Sequence, residues 1–135
     1  MGRFAVRAAL QDPTWSEITV ADVDGTAAEL FVGSCQAASL HALQLDVTDA
    51  EALRAALEHC DVVLNLVGPY FRFGPSVLAA AIETGTDYLD INDDWEPTLE
   101  MLKLDERARE RGVTAVLGMG ASPGLTNLLA RRAAQ

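Results

Sequence analysis

Cysteine, lysine and long apolar runs are scarce in this sequence, and each scarcity argues against particular classes of protein. The chain has 135 residues and two cysteines, neither of them in a Cys-x-x-Cys or Cys/His pattern. A disulfide scaffold is therefore not supported, and a reducing compartment fits better. No stretch approaches the roughly 18 apolar residues of a membrane span, and the N-terminus has no apolar signal region. We expect a cytoplasmic protein that does not enter a membrane.

Positive charge is also scarce. Ten Lys and Arg residues stand against twenty Asp and Glu residues, so the formal net charge is −10. Such a surface repels phosphate backbones and anionic lipid headgroups, which argues against nucleic-acid and membrane partners. Apolar residues, in contrast, make up half of the chain, which is enough to form the core of a single domain over residues 1–135.

Short β-like segments alternate with helical ones, a pattern typical of a parallel sheet covered by helices. The third β-like segment is almost continuously apolar, as a strand buried on both faces would be. Only Met1 precedes the first helical segment, where a βαβ unit should have a strand. The sequence therefore predicts an α/β fold, a Rossmann-type doubly wound parallel sheet that lacks its first strand. The predicted strands are 17–22, 41–46, 61–66, 88–91 and 114–117.

Helix boundaries are marked by capping residues. The first helix is predicted over 2–11, and a capping box over 48–51 predicts that another begins there. Gly74 and Pro75 are predicted to open a helix that Gly85 closes. A further helix is predicted over 97–111, with acidic residues early and arginines late, an order that suits the helix dipole.

A glycine and an acid have the spacing of a dinucleotide site. In such folds the last glycine of GxGxxG opens the first helix, and an acid about 20 residues later binds the adenosine ribose. Gly2 opens the first helix and Asp22 ends the next strand, 22 − 2 = 20 residues later. A carboxylate accepts hydrogen bonds from both ribose hydroxyls and would repel a 2′-phosphate. An ordinary helix-start glycine and turn aspartate would have the same spacing.

The loop after the third strand is the second candidate, because ligands bind beyond the carboxyl ends of parallel strands. Gly68 permits close backbone approach, and Pro69 makes the loop rigid. Arg72 is one of only two basic residues between positions 41 and 100, which suits a role facing an anion. Tyr70 and Phe71 either face a ligand or pack on a neighbouring element.

The loops after the last two strands are also polar or rich in glycine. Asp90 begins a polar segment that could orient a ligand, although Asp94 is more simply read as the cap of the following helix. The last loop contains Gly120, Ser122 and Gly124. Ser122 is a natural N-cap, and a helix starting at Pro123 would offer free N–H groups to a carboxylate or phosphate. Ordinary capping is the alternative.

Evidence for a catalytic group is thin. His41 and His59 are isolated, and no HExxH, GxSxG or Walker-type sequence occurs. The sequence therefore predicts no metal site and identifies no catalytic acid or base.

Three segments together resemble the saccharopine dehydrogenase-like family, specifically its N-terminal NAD(P)-binding domain. They are Asn65 to Gly74 (NLVGPYFRFG), Ala81 to Asp90 (AIETGTDYLD) and Gly120 to Gly124 (GASPG). The resemblance covers nearly the whole chain, from Gly2 to about residue 130.

The resemblance implies an oxidoreductase that transfers hydride at a C–N bond of a small amino-acid-like substrate. It matches Gly2 to the last phosphate-loop glycine and Asp22 to the ribose acid. Asn65, Gly68 and Pro69 match the loop beside the cofactor's ribose and nicotinamide, and the segment from Gly120 lies near the reacting end. The substrate-side candidates are Tyr70, Arg72, Asp90, Ser122 and Gly124. The cofactor is NAD or NADP, and Asp22, with no arginine nearby, favours NAD.

The chain also departs from the family, because the first strand and two fingerprint glycines are absent and members are much longer. We therefore expect a fragment that is inactive alone, whose strands at 17–22 and 61–66 pair directly or whose open edges promote homo-oligomers. A non-catalytic dinucleotide-binding or regulatory module is the alternative. A redox sensor of the short-chain, extended Rossmann group is disfavoured, because no Tyr-x-x-x-Lys pair occurs.

Overall fold

The computed structural model describes residues 1–135, which divide into two compact units, Met1–Asp49 and Ala50–Gln135. In the first unit, strands β1 (Ile18–Asp22) and β2 (Leu40–Gln44) pair in parallel, with Ile18 opposite Leu40. Ala28 and Phe31 of the second helix are buried with Leu40. The elements of this unit are α1 (Gly2–Ala9), β1 (Ile18–Asp22), α2 (Gly25–Cys35) and β2 (Leu40–Gln44).

The second unit contains a three-stranded parallel sheet in the order β3 (Val62–Asn65), β4 (Asp87–Asp90), β5 (Ala115–Val116). Its core is built on the long helix α4 (Tyr70–Thr84), which buries an apolar face that includes Val77, Leu78 and Ile82. Its elements are α3 (Ala50–Leu57), β3 (Val62–Asn65), α4 (Tyr70–Thr84), β4 (Asp87–Asp90), α5 (Trp95–Leu102), α6 (Asp105–Arg111), β5 (Ala115–Val116), a π turn (Ala121–Leu125) and α7 (Thr126–Ala133).

The α/β class, the five predicted strands and their parallel pairing are confirmed. The direct pairing expected for the strands at 17–22 and 61–66 is not observed, because the five strands form two separate hydrogen-bonded sheets. The third predicted strand is also not buried on both faces. Val62 and Leu64 share one face of β3 and are 36% and 41% exposed.

Two helix boundaries differ from the predictions. The helix expected to open at Gly74 already begins at Tyr70, so Pro75 lies inside α4. The single helix expected over 97–111 is two helices, α5 and α6. They are separated at Leu104, whose φ of −87° and ψ of 0° depart from helical values. The closing glycine Gly85 is confirmed, with a left-handed φ of 78°.

None of the helices is both long enough and apolar enough to cross a lipid bilayer.

Gly33, exposed in the interior of α2, is a site for a stabilising substitution. A Cβ atom built there meets nothing within 4 Å. We expect Gly33→Ala to raise the free energy of unfolding by about 0.5–1 kcal/mol, because alanine loses less backbone entropy in a helix. Urea denaturation measures this, and Gly85→Ala, at a left-handed φ, should lower the same quantity. An unchanged or lowered value for Gly33→Ala would contradict the prediction.

Candidate functional site

In the first unit, Asp22 lies exposed at the carboxyl end of β1. One of its carboxylate oxygens accepts a hydrogen bond from the Asp24 N–H at 3.0 Å, and the other has no partner in the chain. Asp24 is itself the N-cap of α2, accepting from the Ala27 N–H at 3.0 Å. The turn thus holds the Asp22 side chain in place and leaves one oxygen for a hydroxyl donor.

Gly2 is the first residue of α1, as predicted. Met1 provides no side-chain cap, and the first turn contains no acidic residue. The first helix-type hydrogen bonds run from the Phe4 and Ala5 N–H groups to the Met1 carbonyl. The amides of Gly2 and Arg3 therefore have no acceptor within the helix, which is the arrangement that attracts an anion.

In the second unit, Asn65 ends β3 and is only 3% exposed. Its Oδ1 accepts a hydrogen bond from the Val67 N–H at 3.0 Å, which shapes the start of the loop. Gly68 follows in an exposed position, with open space where a Cβ would be. Pro69 is the N-cap of α4. The loop thus combines a buried anchor with an exposed glycine that a ligand could approach closely.

Asp90 has no exposed surface, so it does not face solvent as a substrate contact would. One carboxylate oxygen accepts from the N–H groups of Asn92 and Gly118, at 3.1 and 2.7 Å. The other accepts from the Tyr88 hydroxyl at 2.9 Å, and Asn65 donates to that hydroxyl at 3.0 Å. No buried side-chain polar atom lacks a hydrogen-bond partner. In this structure Asp90 therefore links the loop after β4 to the loop after β5 and, through Tyr88, to Asn65 at the end of β3.

Burial raises the pKa of both tyrosines of the chain. At Tyr88 the hydrogen bond from Asn65 opposes the rise and the charge of Asp90 adds to it. At Tyr70, which is partly buried, the charges of Asp90 and Asp93 add to the effect of burial. Both side chains therefore remain neutral phenols at physiological pH.

The remaining residues of the loop after β3 are more open. Arg72 is exposed, with its guanidinium carbon 5.0 Å from the centre of the Phe73 ring. Phe71 is 67% exposed, so it does not pack inside the core. It borders an open groove of about 420 Å³ whose other lining residues are Pro75, Trp95, Glu96, Pro97, Leu99 and Glu100.

The loop after β5 differs in part from its prediction. Ser122 has extended backbone angles and provides no cap, and α7 begins at Thr126 rather than at Pro123. This agrees with the preference of a residue before proline for extended angles. Gly120 and Gly124 are both closely approached, and a Cβ on Gly124 would lie 2.7 Å from the Gly118 carbonyl oxygen.

Sequence reasoning missed the role of Tyr88 in this buried group of hydrogen bonds and read Asn92 only as part of the polar segment after β4. Tyr88 was read only as part of a strand, although it lies two residues before Asp90 and therefore on the same face of β4. The Asn92 amide donates to Thr98 at 2.8 Å and its Oδ1 accepts from the Asp94 N–H at 2.9 Å. Asp94 is the N-cap of α5, as favoured, but its side chain makes no capping hydrogen bond.

Comparisons with known proteins agree with the predicted family. Residues 1–116 match the family model described as saccharopine dehydrogenase NADP binding domain. The saccharopine dehydrogenase-like oxidoreductase of Bos taurus is 40% identical over 78 residues, which are 56% of this chain and 18% of that protein. Saccharopine dehydrogenase (NADP(+), L-glutamate-forming) of Saccharomyces cerevisiae is 37% identical over 89 residues, 66% of this chain and 19% of that protein.

A solved structure is similar over most of the fold. It is the apo, histidine-tagged saccharopine dehydrogenase (L-Glu forming) from Saccharomyces cerevisiae, with a TM-score of 0.75 and 28% identity. The similarity covers 87% of this chain and 24% of that chain. It confirms the Rossmann-type α/β fold, and the family description supports a nicotinamide dinucleotide as the class of ligand.

Proposed function

We propose that this chain, which belongs to the saccharopine dehydrogenase NADP binding domain family, binds a nicotinamide dinucleotide as a single Rossmann-type domain over residues 1–135. The observation that carries the proposal is the Asp22 carboxylate, exposed at the carboxyl end of β1 with one oxygen unpaired. A carboxylate in this position accepts hydrogen bonds from the adenosine ribose. The unpaired amides at the start of α1, at Gly2, would bind the pyrophosphate.

The nicotinamide end of the cofactor is assigned to the loops of the second unit. Gly68 and Pro69 offer an exposed and closely approachable backbone, and Asn65 holds that loop from inside. Gly120 would lie near the reacting end. Nicotinamide, when bound, gives or accepts a hydride, and the residues of this chain bind and orient it.

For the longer proteins of the family we propose hydride transfer at a C–N bond of an amino-acid-like substrate. The Saccharomyces cerevisiae relative is named an L-glutamate-forming saccharopine dehydrogenase, and this supports the substrate class. The substrate-side residues of this chain would be Tyr70, Arg72, Ser122 and Gly124, with Asp90 acting from inside. We also propose a cytoplasmic location, which is supported by two free cysteines.

Binding without catalysis is the second candidate function. Asn65 and Asp90 use their polar atoms for hydrogen bonds within the chain, and Tyr70 remains a neutral phenol. An NADH-dependent reduction assay with 2-oxo acids and amines distinguishes the two, because turnover by this chain would contradict the non-catalytic alternative.

The preference between NAD and NADP tests the role of Asp22. We expect the native chain to bind NADH more tightly than NADPH, because the carboxylate repels a 2′-phosphate. Asp22→Ser should weaken NADH binding about tenfold, as expected for the loss of a charged hydrogen bond, and strengthen NADPH binding. Fluorescence titration of the full chain with each reduced cofactor gives both Kd values.

Asp12→Ser is the matched control for this experiment. Asp12 is also an exposed acid of the first unit, and it accepts hydrogen bonds from the N–H and hydroxyl of Thr14. Its replacement removes the same charge and the same kind of turn, and both Kd values should be unchanged. An unchanged cofactor ratio in Asp22→Ser would contradict the role of Asp22. Failure of both cofactors to bind at millimolar concentration would contradict the proposed function itself.

A further inference from the structure

Three loops of the second unit meet in one buried cluster of hydrogen bonds. They follow β3, β4 and β5, whose carboxyl ends lie at the same edge of the sheet. Asn65 and Asp90 are register partners at the ends of β3 and β4. The phenol of Tyr88 joins their side chains and is 1% exposed.

The direction of each hydrogen bond in this cluster is determined by chemistry. A carboxylate only accepts, so the single hydroxyl proton of Tyr88 is donated to Asp90 at 2.9 Å. The hydroxyl oxygen then accepts from the Asn65 amide nitrogen at 3.0 Å. This orients the Asn65 amide so that its Oδ1 accepts a hydrogen bond from the N–H of Val67. Val67 is the residue before Gly68. Tyr88 thus determines which way the Asn65 amide faces.

Asp90 carries the connection onward to the last loop. Its other oxygen accepts from the N–H groups of Asn92 and Gly118, and the Met119 N–H donates to its carbonyl at 2.8 Å. Strand β4 is the only strand adjacent to both β3 and β5. A side chain on β4 is therefore the natural bridge between the loops on either side. A network buried in a low dielectric holds its members firmly when every donor and acceptor is satisfied.

We infer that Tyr88 is a positioning residue for the nicotinamide half of the cofactor, acting through Asn65 and Asp90. The inference rests on the proposed function, which assigns that half to the loops after β3 and β5. Tyr88 is buried and does not itself contact a ligand. Its hydroxyl sets the geometry of the backbone on either side of β4.

The test compares two ligands that differ by the nicotinamide alone, NAD⁺ and ADP-ribose. Tyr88→Phe keeps the ring and removes the hydroxyl. We expect the full-length variant to bind NAD⁺ about five- to tenfold more weakly and to bind ADP-ribose within about twofold of the native chain. A loss that reflected only reduced stability would affect both ligands equally.

Thr86→Val is the matched control, because it removes a buried hydroxyl from the residue directly before the amino end of β4. Thr86 is 1% exposed, and its hydroxyl donates to the Leu57 carbonyl at 3.0 Å. This variant should lower the melting temperature comparably and leave the ratio of the two Kd values unchanged. Amide NMR spectra of the ligand-free chains add a second readout, in which only Tyr88→Phe should shift the signals of Val67 and Gly118.

Each outcome is decisive. A selective loss of NAD⁺ binding in Tyr88→Phe alone supports the inference. Equal loss of both ligands, a matching change of the ratio in Thr86→Val, or unchanged binding in Tyr88→Phe overturns it. If the native chain binds neither NAD⁺ nor ADP-ribose, the proposed function fails, and the assignment of Tyr88 to the cofactor fails with it. The amide signals then still report whether its hydroxyl holds the loops.

Discussion

We expect Asp90→Ala to lower the free energy of unfolding by about 3–5 kcal/mol. The carboxylate is completely buried and accepts three hydrogen bonds, from Tyr88, Asn92 and Gly118. Alanine leaves three buried donors without acceptors, each costing about 1–3 kcal/mol, and water that enters the cavity recovers part of the loss. A typical domain is stable by about 5–15 kcal/mol, so this loss would remove a large share of the free energy of unfolding.

Urea denaturation followed by circular dichroism measures this loss, and two further variants calibrate it. Asp90→Asn keeps one acceptor oxygen and should lose about 1–3 kcal/mol. Asp93→Ala removes an exposed neighbouring carboxylate and should change stability by less than about 0.5 kcal/mol. A stability of Asp90→Ala equal to that of Asp93→Ala would show that the buried cluster is unimportant to the fold.

The second large effect is expected at Gly124. A Cβ atom there would lie 2.7 Å from the Gly118 carbonyl oxygen and 2.9 Å from two backbone atoms of Met119. Backbone atoms cannot move aside as the end of a flexible side chain can. Gly118 is further constrained by its left-handed φ of 71° and by its hydrogen bond to Asp90. Gly124→Ala should therefore displace the loop after β5 and cost about 1–3 kcal/mol of stability.

Amide NMR spectra and cofactor titration together test the Gly124 prediction. The signals of Gly118 and Met119 should shift, and affinity for NADH should fall at least about tenfold if this loop holds the nicotinamide end. Gly33→Ala serves as the control, since its new Cβ meets open space and both readouts should match the native chain. Native-like spectra for Gly124→Ala would mean that the loop accommodates a methyl group, contrary to the prediction.

The extent to which the fold could be predicted depended on how regular the local pattern was. The strands were found because β-branched or apolar runs end in polar turns, as at Asp22 and Asn65. Helix α2 was not identified, because its apolar residues lie all around the helix and form no single apolar face. In the structure one of them, Leu30, is accordingly 73% exposed. The break at Leu104 was missed because its charged neighbours continue the helical pattern on both sides. In the structure each of the two helices buries its own residue, Met101 in α5 and Ala108 in α6.

The sequence by itself determined the α/β class, the family and the acid at the end of β1, because these depend on residue order and spacing along the chain. Tertiary structure alone decided what the polar residues at the strand ends do. Asn65 and Asp90 could equally have faced a ligand, since a polar group in a loop is satisfied by solvent, ligand or backbone. The parallel register of β3 with β4 brings Tyr88 between them. Both side chains are thereby turned inward to hold the loops, whereas the backbone at Gly68 remains exposed.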